Sequence, residues 1–333
     1  MHWKRSSANS IPLTLVLAAA FLAPQPVRAD YAYVTNQSSS DLSVIDLDRG
    51  IEVERLAVPG QPAGVAVSQG LETVFTVSPE SKTVRRYGLM PQAPKAELHL
   101  DGGPMGIAVD ARRQRVFVSD WYNARVWVLS ADTLELRTTL RTGSAPAGLV
   151  LSPDGKWLAT ADRDANQVSI FAADTLELRR RITVGERPFG IAFSPDGRIF
   201  TADVGSNTVT VVDPEDGKVL GKVKTRERPY GVAFAGKHGF VTNQYDDSVS
   251  VFDAATYAPV TVISVGEYPE GIDTTADGKF VVVANWASNT VSLIDTEKLE
   301  VTGEIATGDG PRAFGKFLAD GPDHQQSAKG AED

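Results

Sequence analysis

The 333-residue sequence contains no cysteine and only four histidines. The first absence excludes disulfides, thiolate metal sites, covalent c-type haem attachment and a lipid-bearing cysteine behind a leader. The second leaves little for imidazole chemistry. His2 falls in a leader segment, His99 on an expected outer strand, His238 in an expected turn and His324 in a polar tail. None of them reaches a common site, so metal ligation, axial haem ligation and a serine–histidine triad are unsupported. Also missing beyond residue 30 is any sustained helical period. Positive charge is in the minority, 33 Lys and Arg against 42 Asp and Glu. A net-acidic surface repels phosphate backbones unless one face is locally basic, which disfavours nucleic acid as a partner.

The chain does have a leader-like start. Lys4 and Arg5 precede an apolar run from 11 to 22, and Val27-Arg28-Ala29 supplies a small-x-small cleavage pattern. A bilayer-spanning helix needs about 20 apolar residues, so this run reads as a secretory signal peptide over 1–29 rather than an anchor. The expectation is a periplasmic or secreted chain beginning at Asp30. Losing Lys4, Arg5 and Arg28 with no acid moves the formal charge from −9 to −12. One domain over 30–319, a polar disordered tail over 320–333, and a monomer without a membrane span are predicted.

Within that domain one phrase recurs about every 40 residues, starting near Tyr31, Leu71, Gln114, Lys156, Arg198, His238 and Lys279. Such a period marks a closed or stacked array of equivalent units. Each copy holds four short β-type segments. In the fourth they are KWLATAD (156–162), QVSIFA (167–172), LELRRRITV (176–184) and FGIAFS (189–194). Turns such as SPDG at 152–155 and 194–197 place Pro, Asp and Gly where a reversal needs fixed or positive φ. Four strands per unit predict an all-β, seven-bladed β-propeller with four-stranded antiparallel blades. The chain opens on a second-strand segment, YAYVTN (31–36), and its last strand, PRAFGKFL (311–318), reads as an innermost one. Their pairing closes the ring and removes open edges.

YVTN (33–36), FVTN (240–243), SNTVTVVD (206–213) and SNTVSLID (288–295) resemble the unit of the YVTN-repeat, YncE-like β-propellers. The resemblance spans nearly the whole chain after residue 30. It implies an exported seven-bladed module, usually non-catalytic, with lactonases, streptogramin lyases and a nitrite reductase haem domain among related propellers; nucleic-acid binding has been attributed to a relative.

Each innermost strand begins Pro-x-Gly, and the last copy, Pro311-Arg312-Ala313, replaces the Gly. The x residues line the axis in the order Ala63, Met105, Ala147, Phe189, Tyr230, Glu270 and Arg312. Neighbouring loops add Trp121, Tyr122, Arg163, Arg187, Arg228, Gln244, Tyr245, Tyr268 and Trp286. Packing alone would fill equivalent positions alike, so their divergence marks a binding mouth. Phe189, Tyr230, Tyr245, Trp286 and Trp121 would stack on a ring or apolar group. Arg312, Arg187 and Arg228 would hold an anion, with Glu270 beside Arg312. The leading function is a non-enzymatic periplasmic binding or scaffold protein for a small ligand or protein partner. An accessory or catalytic propeller of a cofactor-linked oxidoreductase pathway and a single-stranded nucleic-acid binder are the alternatives. No catalytic residue, metal or cofactor is assigned.

Three motifs carry no chemistry. Asp162-Arg163-Asp164-Ala165-Asn166 opens like a calcium loop but lacks its Gly and its bidentate Glu. Gly308-x-Gly310-x-x-Ala313 has no βαβ setting. The basic run at 176–184 reads as protection of an outer edge strand.

Overall fold

The computed structural model describes residues 1–2, 30–90 and 93–320. The predicted leader beyond His2 and the tail after Asp320 lie outside the described residues. Among them the chain forms seven four-stranded antiparallel sheets and two single-turn 3₁₀ helices, the all-β propeller expected from the repeat. In the fourth unit Pro146–Leu151, Trp157–Asp162, Gln167–Ala172 and Leu178–Thr183 lie side by side from the axis outward. Burial is greatest in the middle of that order. The middle strands are buried almost throughout, whereas the outer strand buries Ile182 alone. The 176–184 run is thus a solvated edge in which Arg179, Arg180 and Arg181 face water.

The recurring phrase has a side-chain explanation. In five blades the Asn or Asp closing the second strand reaches the hydroxyl seven residues later on the third, whereas Asp120 of the third blade accepts from Asn123 and Arg125 instead. Asn36 donates to Ser43 Oγ at 2.8 Å, Asn243 to Ser250 at 2.9 Å and Asn285 to Ser292 at 2.8 Å. Asp162 accepts from Ser169 at 2.6 Å, and Asp203 from Thr210 at 2.5 Å. In the second blade Ser78 takes the place of the Asn, and Arg85 donates to it from the i+7 position at 3.0 Å. These clamps satisfy polar groups that β-sheet burial would otherwise strand, at a cost of about 1–3 kcal/mol each.

The second constraint lies at the axis. A Cβ at Gly148 would fall 2.7 Å from the Phe189 carbonyl oxygen, and one at Gly231 would fall 2.9 Å from that of Glu270. Gly64, Gly106, Gly190 and Gly271 meet the carbonyls of Met105, Ala147, Tyr230 and Ala313 more closely still. Each Pro-x-Gly glycine is the seat on which the next blade's x residue rests. Three second-strand hydroxyls reinforce the seam. Thr242 Oγ1 accepts from Gly231 N–H and donates to the Glu270 carbonyl; Ser119 bridges Gly106 N–H and the Ala147 carbonyl in the same way, and Thr35 bridges Ala313 N–H and the Ala63 carbonyl.

Ring closure joins Leu318–Asp320 to Asp30–Asn36 and through it to Asp41–Asp46 and Ile51–Ala57. The predicted strand 311–318 is shorter and broken. Pro311 bridges Asn36, Arg312 N–H bonds Thr35 O, and then the chain leaves that partner. Ala313 has φ of 45° and Gly315 of 133°, and Phe314 and Lys316 instead bond the backbone of Val65, Val67 and Ala63 on the next blade's inner strand. Asp273 accepts from the N–H groups of Phe317 and Leu318 at 2.9 and 3.0 Å, where the chain rejoins the sheet. The segment still seats Gly271 on its carbonyls, but it has Ala313 where the other six inner strands have the glycine that would seat on the next blade.

Placing Val at Gly190 drives a branched side chain into the Tyr230 carbonyl, so Gly190→Val is expected to lose about 3 kcal/mol or more in denaturant unfolding. Burial pushes the Asp203 carboxyl up to about 6 despite hydroxyl donors from Thr210, Thr201 and Thr208. An unfolded aspartate titrates near 3.9, so the folded protein holds a proton there that the unfolded chain has lost. Stability from this group is therefore full below about pH 4 and falls as pH rises through 6. Asp203→Asn, which installs the amide found at 36, 243 and 285, should melt higher than wild type at pH 8 and equally near pH 4. The difference is at most about 3 kcal/mol.

Candidate functional site

Inner strands rise to one face at their Pro ends, and the residues after the Asn or Asp clamps emerge on that same face. Together they wall a cavity of about 420 Å³. Of the sequence-predicted residues, Trp121, Phe189, Tyr230, Glu270, Arg312, Arg228 and Trp286 line it, with Met105, Arg163, Gln244 and Tyr268. Arg187 and Tyr245 line an adjoining groove of about 240 Å³, which Arg163 and Arg228 share. The two spaces form one mouth with an outer shelf.

The floor is aromatic. Phe189 and Tyr230 lie 4.4 Å apart between ring centroids, and Phe314 packs on them at 5.0 and 5.9 Å. These rings, with Ala147, form a buried cluster across the axis. Phe189 and Tyr230, 7% and 3% exposed, offer little open surface to the cavity. Phe314 is the residue that sequence reasoning missed. Its signal was present as the lost glycine of Pro-Arg-Ala, which marks an inner strand that does not run like the others.

Beside this floor sits a buried charged pair. Arg312 Nε lies 2.8 Å from Glu270 Oε2, and Arg312 Nη2 donates to Tyr230 Oη at 2.6 Å. Gln244 Nε2 donates to Glu270 Oε1 at 2.6 Å. The Nε–H is not aimed at the carboxylate oxygen, so that contact is coulombic rather than a formed hydrogen bond. Burial pushes the Glu270 carboxyl up while Arg312 draws it down. A guanidinium keeps its proton, so burial works against Arg312 unless a counter-charge is present; Glu270 is that counter-charge and holds Arg312 above its ordinary range. Arg312 is therefore already committed, in contrast to its expected place among the anion-holding arginines.

The upper wall differs. Tyr245, Tyr268 and Trp286 form a ladder with centroids 5.5 and 5.7 Å apart. Arg228 stacks on Tyr245 at 4.5 Å and donates to its hydroxyl at 2.5 Å. Trp286 Nε1 donates to Gln37 at 3.3 Å, and Arg163 covers Trp121 at 5.3 Å while pairing with Asp164. Arg187, Arg228 and Tyr268 each precede the inner-strand Pro and hold φ of 51–59°. Side-chain carbonyls or carboxylates of Asn166, Asn207 and Asp247 accept their N–H groups at 2.8–2.9 Å. Left-handed backbone costs a non-glycine residue about 1–2 kcal/mol, and Gly310 shows the unstrained choice at the same place. Among the described residues neither Arg187 nor Arg228 has a carboxylate within 4 Å, and Arg228 Nε is buried without a hydrogen-bond partner.

The remaining sequence readings find their places. His99 ends an outer strand, and His238 begins the second strand of its blade rather than sitting in a turn. Residues 163–165 form a 3₁₀ turn ended by left-handed Asn166. Among the described residues no helix is long and apolar enough to cross a membrane.

A family model described as YncE-like β-propeller matches residues 232–311, within the same seven-bladed ring. The chain is a seven-bladed β-propeller that is similar to the YncE-like family over those residues. A second model, the SMP-30, gluconolactonase and LRE-like region, matches 126–245. No curated protein matches the sequence. Among solved structures, a functionally unknown protein from Desulfotomaculum acetoxidans is similar at 18% identity and TM-score 0.74, covering 88% of this chain and 99% of its own. Hydrazine synthase of Kuenenia stuttgartiensis is similar at 18% identity and TM-score 0.68, over 77% of this chain and 89% of that one. The dihydro-haem d1 dehydrogenase NirN in complex with DHE follows at 16% and 0.66, over 89% and 67%. At such identities the likeness is one of fold.

Removing one member of a buried ion pair costs about 3–5 kcal/mol, because the other charge is left without a partner. Glu270→Ala is expected to lose that much in chemical denaturation. Glu270→Met combined with Arg312→Met should recover most of the loss; a double variant as weak as the single one would deny that the two charges depend on each other.

Proposed function

We propose that this exported propeller binds, without chemical conversion, a small planar or ring-bearing anion at its mouth. The observation that carries the reading is the pair of rim arginines, Arg187 and Arg228, held on left-handed backbone without a carboxylate partner beside an aromatic-walled cavity. The same left-handed φ recurs at Gln61 and Ala145 before their prolines, so the repeat's backbone sets where these side chains project, and the two arginines occupy neighbouring places on the rim. The ring of the ligand would stand against Tyr268, Trp286 and Trp121, and its anionic group would sit on the shelf between the two arginines. Glu270 and Arg312 neutralise one another, so the floor favours an uncharged end. In a chain of net charge −9 such a cationic rim also draws anions locally.

The cavity volume and the aromatic floor favour a small molecule over a strand. A single-stranded nucleic acid would need a continuous groove with several basic and stacking sites, whereas the axis here is closed by Phe189, Tyr230 and Phe314. Hydrazine synthase and NirN share the fold, and no residue of the mouth is assigned a catalytic role from that likeness.

A thermal-shift panel of ring-bearing carboxylates, sulfonates and phosphates tests the reading, with calorimetry on any compound that protects. Arg187→Ala and Arg228→Ala are each expected to weaken binding about 10- to 100-fold, the equivalent of one charge-assisted contact, with melting almost unchanged. A panel without protection, or a binder indifferent to both variants, rejects it.

A further inference from the structure

The aromatic floor of the mouth is also the ceiling of a second space. Below it a funnel of about 1000 Å³ opens on the opposite face of the ring, lined by the inner strands from their glycines onward. Its size is at the top of the range for small-molecule sites. The residues two places after each Pro-x-Gly glycine form its wall: Ala66, Ala108, Val150, Ala192 and Ala233, with Asp273 in the seventh blade. Small apolar side chains keep the bore open where the mouth's x positions close it. Phe314 forms the inner end, packed on Phe189 and Tyr230. The closing segment then turns through Gly315 and sets Lys316 on the wall two residues nearer the open face, its carbonyl accepting from Val67 N–H at 2.8 Å.

The two charged wall residues have unequal commitments. Asp273 is occupied: it accepts from Phe317 and Leu318 on one oxygen and from Thr274 N–H at 2.9 Å on the other. Burial pushes its carboxyl up, while the Lys316 ammonium across the wall and the backbone N–H donors draw it down. Lys316 is exposed to the funnel, and among the described residues it makes no ion pair within 4 Å. An apolar bore with an aromatic blind end and one uncommitted ammonium toward the opening is complementary to a single kind of molecule, an amphiphile with one negative head.

We propose that the funnel binds a monocarboxylate bearing an unbranched apolar chain, its tail against Phe314 and its carboxylate at the Lys316 ammonium. The site is separate from the mouth and does not depend on what the mouth holds. The tail would be buried between the alanine ring and Phe314, each methylene contributing about 0.8 kcal/mol on leaving water. The head would stay near solvent, so the ammonium binds it without full desolvation of either charge.

Isothermal titration of the full chain with dodecanoate, below its micellar concentration, tests this. One saturable site is expected. Lys316→Glu should weaken it at least tenfold and Lys316→Gln by a smaller factor, with the melting temperature of each checked first. Ala192→Trp, which fills the bore, should abolish it. Arg228→Ala at the mouth should leave it unchanged. No binding of dodecanoate, equal binding of dodecanol, or a loss in Arg228→Ala without one in Lys316→Glu would each overturn the proposal. Because the two spaces share only their septum and neither Arg187 nor Arg228 lines the funnel, failure here leaves the ring-bearing anion reading standing, and the converse also holds.

Discussion

Seven inner strands meet at the axis with almost no room between their backbones, and the glycine of each Pro-x-Gly carries the carbonyl of the next blade's x residue. This approach sets the radius of the ring. A Cβ at any of six positions would force neighbouring strands apart, and every blade outside them would follow. The x side chains are therefore fixed in position by backbone packing before any side-chain contact is made. They point together at one face because their strands cannot move independently.

From that seam the molecule divides along its axis. On the Pro side, large x residues in the fourth to seventh positions fill the centre, and Phe314 completes the floor. On the other side, residues two places after the glycines are small and the bore stays open. A mouth with aromatic walls and free arginines and a funnel with apolar walls and one free lysine thus back onto the same septum. Glu270 borders both spaces. Its ion pair with Arg312 joins the seventh blade to the closing segment, so the septum is tied to the point of ring closure by a charge pair as well as by packing.

The closing segment is where regularity ends. Ala313 in place of glycine, with positive φ, sends the chain off its sheet partner and onto the neighbouring blade, and Asp273 recovers the N–H groups released on the way back. Those departures bring Phe314 to the axis and Lys316 to the funnel wall. An irregular closure has given the two chambers their shared partition.

The sequence by itself determined the seven blades, the four strands in each, the turn chemistry, and the face on which the x residues and their neighbouring loops gather. Each follows from local patterns: period-2 alternation, Pro-x-Gly, and an Asn or Asp seven residues before a hydroxyl. Only the tertiary structure decided which arginines are free. Both Arg312 and Arg187 stand beside an inner-strand proline, yet one lies 2.8 Å from Glu270, 42 residues earlier in the chain, and the other stands at the rim with no carboxylate within 4 Å among the described residues. The same holds for Phe314, whose role depends on a ring closing between distant segments. Pairing between charges and packing across an axis are long-range, and no spacing within a single repeat encodes them.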